Sequence, residues 1–250
     1  MKRKVLIGLG VVAVLLLAFG AMVASAFIGL KPVSPVTQLP NGVIGVADGY
    51  VQAFIVPAGN SAAALIDCGN DPEAKALKAK LAELKLTVKM IFITHGHRDH
   101  VGGCKQFPEA ELFSLEAERP LAEGEVAAKG PLTRMSKNDP GQMHKVTRGL
   151  TDGETVELGD LKVQVFALPG HTAGSAAYLA NEVLFLGDAV TGQADGQVRN
   201  APWMFTDDQA QCRASVQGLA QKLQRTGTPV RALAFAHSGP LEGLAPLASF

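Results

Sequence analysis

The chain has 250 residues with 23 basic and 23 acidic side chains, so its formal net charge is zero. That balance argues against broad electrostatic capture of nucleic acid, which needs a surplus of Lys and Arg. With 47% hydrophobic and 18% charged residues, the composition is globular rather than disordered.

Lys2, Arg3 and Lys4 precede an uncharged run over 5–30, VLIGLGVVAVLLLAFGAMVASAFIGL. As a helix rising ~1.5 Å per residue it reaches about 39 Å, enough to cross a ~30 Å hydrocarbon core with some tilt. It reads as an uncleaved membrane anchor with its basic end in the cytosol. The alternative is a cleaved export signal ending near the Ala-Ser-Ala of 24–26. The run exceeds the roughly 7–15 apolar residues of a signal core, which favours the anchor. On either reading the remainder lies outside the cytosol, membrane-anchored or, after cleavage, secreted. Residues 31–41 hold three prolines and read as a linker. Residues 42–250 have the size of one large domain.

Short apolar runs at 43–46, 51–56 and 62–67, separated by Gly, Pro and Asn, predict strands in antiparallel pairing. Residues 71–86 carry helical periodicity with Pro72 near their start. Residues 87–94 predict an apolar strand that runs into THGHRDHVGG at 94–103. A short strand is expected near 112 and a helix over 115–122. Hairpins are expected to turn at Gly159-Asp160 and at Asn181-Glu182. Residues 205–224 predict a helix capped by Thr206 with acids in its first turn. An apolar strand over 230–236 ends at His237. Strands early and late, with helices between and after, predict an α+β fold of two packed sheets with helices outside.

Five of the six histidines lie just past apolar strands, each with glycine adjacent or close by. His95, His97, Asp99 and His100 follow strand 87–94. His171 lies in PGHTAGS, Asp188 in LGD and His237 in AHSGP. Loops on a rigid sheet are where function concentrates. Imidazole and carboxylate are natural ligands of zinc, and also suit iron and manganese. His95 and His97 are two apart, so extended chain puts both on one face, while Asp99 and His100 follow a bend. An open catalytic zinc takes three protein ligands and a closed one four. Seven candidates therefore suit two divalent ions about 3.5–4 Å apart with a shared bridge. No Cys donor is among them, which favours an open, catalytic centre over a closed structural one. His144 reads as an ordinary loop residue. The three cysteines, an odd number, exclude a fully paired framework. Cys68 and Cys212 read as small buried apolar residues, and Cys104, just past the histidine cluster, is placed where it could line a pocket.

These motifs, in this order, resemble the metallo-β-lactamase fold superfamily, and within it the glyoxalase II-like hydrolases, over roughly 42–250. THGHRDHVGG is similar to the HxHxDH signature, and PGHTAGS, LGD and AHSGP to the later motifs. ALIDCG at 64–69 is similar to an early strand whose aspartate, Asp67 here, supports the ligands from behind. The resemblance implies an αββα sandwich with the metals at one edge of the sheets. It implies that His95, His97 and His171 hold a first ion, that Asp99, His100 and His237 hold a second, and that Asp188 bridges. The implied activity is hydrolysis of an ester, thioester, lactone or similar carbonyl by metal-bound hydroxide, with two divalent ions, zinc before iron or manganese. Asp99 would orient the water and return a proton to the leaving group, and Asp67 would fix a histidine tautomer. Alternatives are a mononuclear iron oxidoreductase of the persulfide-dioxygenase type, a phosphodiesterase, and a non-catalytic metal-binding membrane module. Asp188 stands where one class of β-lactamases has Cys, which moves antibiotics down the order of expected substrates. The chain continues only briefly past His237, so a glutathione thioester is also a lesser expectation. The expected partners are a small-molecule substrate and the membrane, with no nucleic acid. Specificity is assigned to loops 48–50, 118–148 and 191–205, with Trp203, Met204 and Phe205 as a candidate apolar wall.

Overall fold

A computed structural model describes the backbone of residues 2–250 and the side chains of 12–250. Helix α1, Lys2–Ser25, leads the chain. Among the described residues no helix is long and apolar enough to cross a membrane. The described side chains of α1 start at residue 12, short of the ~20 apolar residues a span needs. The structure therefore does not support the expected transmembrane helix. The part of that expectation resting on Met1 and the side chains of 2–11 lies outside the described residues.

Part of the expected linker is packed into the fold as strand β1, Val36–Gln38, which pairs antiparallel with β2, Ile44–Asp48. Strands β3, Val51–Pro57, and β4, Ala62–Ile66, continue the antiparallel run. Helix α2, Lys75–Leu84, then crosses to β5, Thr87–Phe92, which pairs parallel with β4. α2 begins later than its periodicity suggests because Ala74, at φ 48°, turns the chain first. The single turn α3, Arg98–Val101, follows β5. β6, Glu111–Leu115, the short helix α4, Arg119–Ala122, and β7, Arg148–Leu150, complete a seven-stranded sheet whose last pairings are parallel.

The second sheet holds the two expected hairpins. β8, Thr155–Leu158, turns into β9, Leu161–Ala167, and β10, Ala176–Ala180, turns into β11, Val183–Phe185. The turns place Gly159 at φ 57°, and Asn181 and Glu182 at 48° and 60°. A small ribbon, β12, Val190–Gly192, with β13, Val198–Asn200, leads to helix α5, Gln209–Thr226. β14, Ala232–Ala234, joins β11 in parallel, β15, Leu241–Glu242, forms the edge, and α6, Ala245–Ala248, follows. The cap of α5 corrects the sequence expectation. Asp208, not Thr206, accepts from Gln211 N–H at 2.9 Å, and no acid lies in the first turn.

Period-two alternation sorts the strand side chains into layers. Phe54, Val56, Ile66 and Phe92 of the first sheet meet Val163, Val165, Tyr178 and Phe185 of the second in the central core. Ile55, Leu65 and Ile91 face outward onto Leu77 and Leu81 of α2. Phe166, Leu184 and Leu233 face outward onto Val216, Leu219 and Leu223 of α5. The layers run helix, sheet, sheet, helix, the αββα sandwich expected. Each fully buried Leu, Ile or Phe contributes roughly 1.5–3 kcal/mol of transfer free energy.

Candidate metal centre

The C-terminal ends of β4, β5, β9, β11 and β14 open on one edge of the sandwich, and the loops there carry every candidate ligand. The loop after β5 packs against neighbours at Gly96, where a Cβ would lie 2.5 Å from Ala122 N. The loop after β9 turns at Gly170, φ +134°, where a Cβ would lie 2.1 Å from Cys212 N. Only glycine permits both approaches.

Donor atoms of His95, His97, His171 and Asp188 lie within 4.8 Å of one another, as do those of Asp99, His100 and His237. His97 Nδ1 is 2.9 Å from His95 Nε2 and 3.1 Å from His171 Nε2. Asp188 Oδ2 is central to both groups. It lies 3.1 Å from His237 Nε2, 3.5 Å from His100 Nε2, 3.7 Å from His171 Nε2 and 3.9 Å from His95 Nε2. Asp99 Oδ2 is 3.3 Å from His237 Nε2 and 4.0 Å from His100 Nε2. His144 stands outside both groups, its Nδ1 3.1 Å from the Lys145 carbonyl.

The outer nitrogens of four of these rings have partners that fix which nitrogen faces inward. His100 Nδ1–H donates to Asp67 Oδ2 at 2.8 Å, and His237 Nδ1–H to the Tyr50 carbonyl at 2.8 Å. His95 Nδ1 is 3.2 Å from Thr94 Oγ1, whose own proton goes to Asp67 Oδ2 at 2.7 Å. His171 Nδ1 is 3.2 Å from Thr206 Oγ1, whose proton goes to the Pro202 carbonyl at 3.0 Å. With both threonine protons committed, the imidazole N–H must donate in each case. The Nε2 atoms of His95, His100, His171 and His237 therefore all point inward. His100 Nε2 and Asp188 Oδ1 are buried without a hydrogen-bond partner. Convergent ring nitrogens with carboxylate oxygens between them fit a cationic occupant, and the N/O donor set suits zinc, iron or manganese.

Electrostatics divide the rings: burial opposes charge on His100, but Asp188, Asp67 and Asp99 raise it well above its ordinary range, so it and His237 hold a proton that a cation would have to displace. Burial pushes His95 well below its ordinary range, His97 to about 3 and His171 to about 4, so these rings are neutral donors. Burial opposes charge on His237 as well, but Asp188 and Asp99 beside it lift it to about 10. Burial alone would raise Asp99, yet His100 and His237 hold it at about 2.

Three supporting contacts gave no sequence signal. Glu118, 1% exposed, accepts from Gly96 N–H at 2.6 Å, Gly174 N–H at 2.8 Å and the Thr172 hydroxyl at 2.9 Å. It thereby ties the loop of His95 and His97 to that of His171. Burial raises its carboxyl to about 7 against those donors. Thr206, expected as a helix cap, instead orients His171. Cys68 and Cys104 form a disulfide, Cα–Cα 5.1 Å, so neither is the isolated residue expected, and Cys104 is fully buried and off the lining of the cavity at the cluster. The disulfide flanks the Asp67–His100 pair, where Cys68 N–H donates to the His100 carbonyl at 2.7 Å. Cys212 is buried and unpaired, and burial pushes its thiol up to about 12.

A cavity of about 650 Å³ opens on the cluster. Tyr50, stacked on His237 with centroids 5.7 Å apart, stands at its side. The expected specificity loops contribute Tyr50, Leu132 and Phe205, but Met204 is in the core and Trp203 is off the lining. The 23–30 segment also lines it, which the sequence did not suggest.

The sequence pattern of the metallo-beta-lactamase superfamily matches residues 46–226. A hydroxyacylglutathione hydrolase of Aeromonas hydrophila subsp. hydrophila is 33% identical over 155 residues, 60% of this chain and 50% of that one. A second, of Salmonella paratyphi A, is 30% identical over 162 residues, 63% of this chain and 53% of its own length. The chain thus spans about half the length of the curated relatives it matches. Among solved structures, the metallo-beta-lactamase MIM-1 from Novosphingobium pentaromativorans superposes with TM-score 0.66 at 22% identity, covering 88% of this chain and 86% of that one. The Rm3 metallo-beta-lactamase superposes with TM-score 0.62 at 22% identity, covering 85% and 81%. These likenesses share the fold.

Proposed function

The chain belongs to the metallo-beta-lactamase superfamily, and from that premise we propose that it is a metal-dependent hydrolase acting on a carbonyl compound through two divalent cations. The observation that carries this reading is the position of Asp188 Oδ2, between 3.1 and 3.9 Å from the inward nitrogens of four histidines. His95, His97 and His171 would hold one ion, Asp99, His100 and His237 the other, and Asp188 both. Bound there, divalent cations supply a Lewis acid and lower the pKa of a coordinated water from 15.7 to about 7.

The chain's own residues do the rest. Asp67 holds the proton on His100 Nδ1, and the Tyr50 carbonyl holds that on His237 Nδ1, so both rings turn Nε2 toward the cations that would replace its proton. The water oxygen bonds to the substrate carbonyl carbon, and the bond from that carbon to the leaving oxygen or sulfur breaks. Asp99, a carboxylate on the cavity wall, takes the proton from the water and returns it to the leaving group. Products are a carboxylic acid and an alcohol or thiol. The apolar walls exclude bulk water from the reacting atoms.

The test pairs metal analysis with a panel of esters, thioesters, lactones, a β-lactam and a phosphodiester. Two zinc ions per chain and turnover of a carbonyl substrate, lost in Asp99→Ala, are expected. One iron with oxygen consumption would replace this reading with the oxidoreductase alternative. We further propose a location outside the cytosol. The Cys68–Cys104 pair supports it, because disulfides persist in oxidising compartments. Thiol counting on chain recovered from its own compartment should find one free thiol, and three would contradict the placement.

A further inference from the structure

Resting on the hydrolase reading, we infer that the substrate is an acyl compound whose hydrocarbon chain lies against the 23–30 segment, with its carbonyl at the histidine cluster. The cavity, about 650 Å³, has the size of a small-molecule site. Its inner end is the donor cluster. Its remaining walls include Val23, Phe27, Leu30, Leu121, Leu132 and Phe205. Outside the donor cluster, Arg98 is the one charged side chain on the lining among the described residues. A glutathionyl group carries two carboxylates and an ammonium, and this lining offers them little. Thr133, Ser136, Asn138 and Thr191 interrupt the lining, but most of it is apolar, and a hydrocarbon chain matches that larger part.

The N-terminal wall is fixed rather than loosely apposed. Ala194 N–H donates to the Gly29 carbonyl at 2.9 Å, and Lys31 N–H to the Gly192 carbonyl at 3.0 Å. Gly239 N–H donates to the Lys31 carbonyl at 2.8 Å, and Lys31 Nζ to the Pro240 carbonyl at 2.6 Å. Residues 29–31 are therefore pinned between β12 and the loop just past His237, which sets Leu30 beside the reacting end and anchors the chain two residues after Phe27. Phe27 is still 46% exposed, which leaves apolar surface for a chain to cover. Each methylene buried there should tighten binding up to about fourfold.

Calorimetric titration of the full chain with butyrate and decanoate below its micellar concentration tests binding apart from chemistry. A series of p-nitrophenyl esters from acetyl to decanoyl on the zinc-loaded chain tests selectivity in kcat/KM. Decanoate should bind about tenfold or more tighter than butyrate, and kcat/KM should rise with chain length in parallel. Phe27→Ser and Leu30→Ser should each reduce that preference several-fold. Ile28→Ser, at a position 72% exposed and off the lining, should leave it unchanged. Equal affinity for the two acids, or a preference untouched in both wall variants, overturns the inference. Selective decanoate binding without turnover of any ester would keep the cavity assignment and remove the hydrolase reading. Turnover indifferent to chain length would do the opposite.

Discussion

At the scale of single residues, the centre depends on groups that hold the ligands as much as on the ligands. Asp67 accepts from Thr94 N–H at 2.7 Å, from the Thr94 hydroxyl and from His100, and so sets one ring directly and another through Thr94. Asp67→Asn should lower metal affinity about 10–100-fold with little change in fold, as measured by competition with a chromophoric chelator. Glu118 is surrounded by donors, so Glu118→Gln turns an amide N–H₂ toward backbone N–H groups. Its denaturation midpoint should shift by the equivalent of about 1–3 kcal/mol. An unchanged midpoint would show that Glu118 does not tie the two loops. The histidine motifs were legible because each sits directly after an apolar strand, with glycine close by. Glu118 was not, because its partners lie 22, 54 and 56 positions away. Thr206 was misread because a threonine ahead of a helix is an ordinary cap, and only tertiary structure placed it under His171.

Elements were legible where pattern and turn chemistry agreed. The hairpins at Gly159-Asp160 and Asn181-Glu182 needed left-handed turn residues and had them. The helix expected over 205–224 forms as α5, and it packs Val216, Leu219 and Leu223 onto the second sheet. Leu219→Ala should cost about 2–5 kcal/mol in urea unfolding, since it opens a cavity between helix and sheet. The parallel pairing of β4, β5, β6 and β7 was not legible, because an apolar run does not say which neighbour it joins. Nor was the disulfide, whose two cysteines lie 36 apart and become neighbours only when β4 and β5 align. Breaking it, by Cys104→Ala or by reduction, should lower unfolding free energy by about 2–4 kcal/mol. Equal denaturation midpoints with and without reductant would contradict that.

At the scale of the molecule, two sheets share one core and one functional edge. Candidate ligands come from both, His95, His97, Asp99 and His100 from the first and His171, Asp188 and His237 from the second. A bound metal pair would therefore cross-link the halves of the sandwich. Chelation should lower the melting temperature and zinc should restore it, with about 2.7 kcal/mol of stabilisation at a free metal concentration 100 times Kd. The N-terminal segment belongs to this scale too, since residues 23–31 join the wall of the cavity rather than standing clear of the domain.

The central claim concerns where cations bind, and anomalous diffraction from crystals grown with zinc tests it most directly. The account predicts two peaks about 3.5–4 Å apart. One should lie among His95, His97 and His171, the other among Asp99, His100 and His237, both against Asp188. A single peak, or zinc bound away from Asp188, would contradict it.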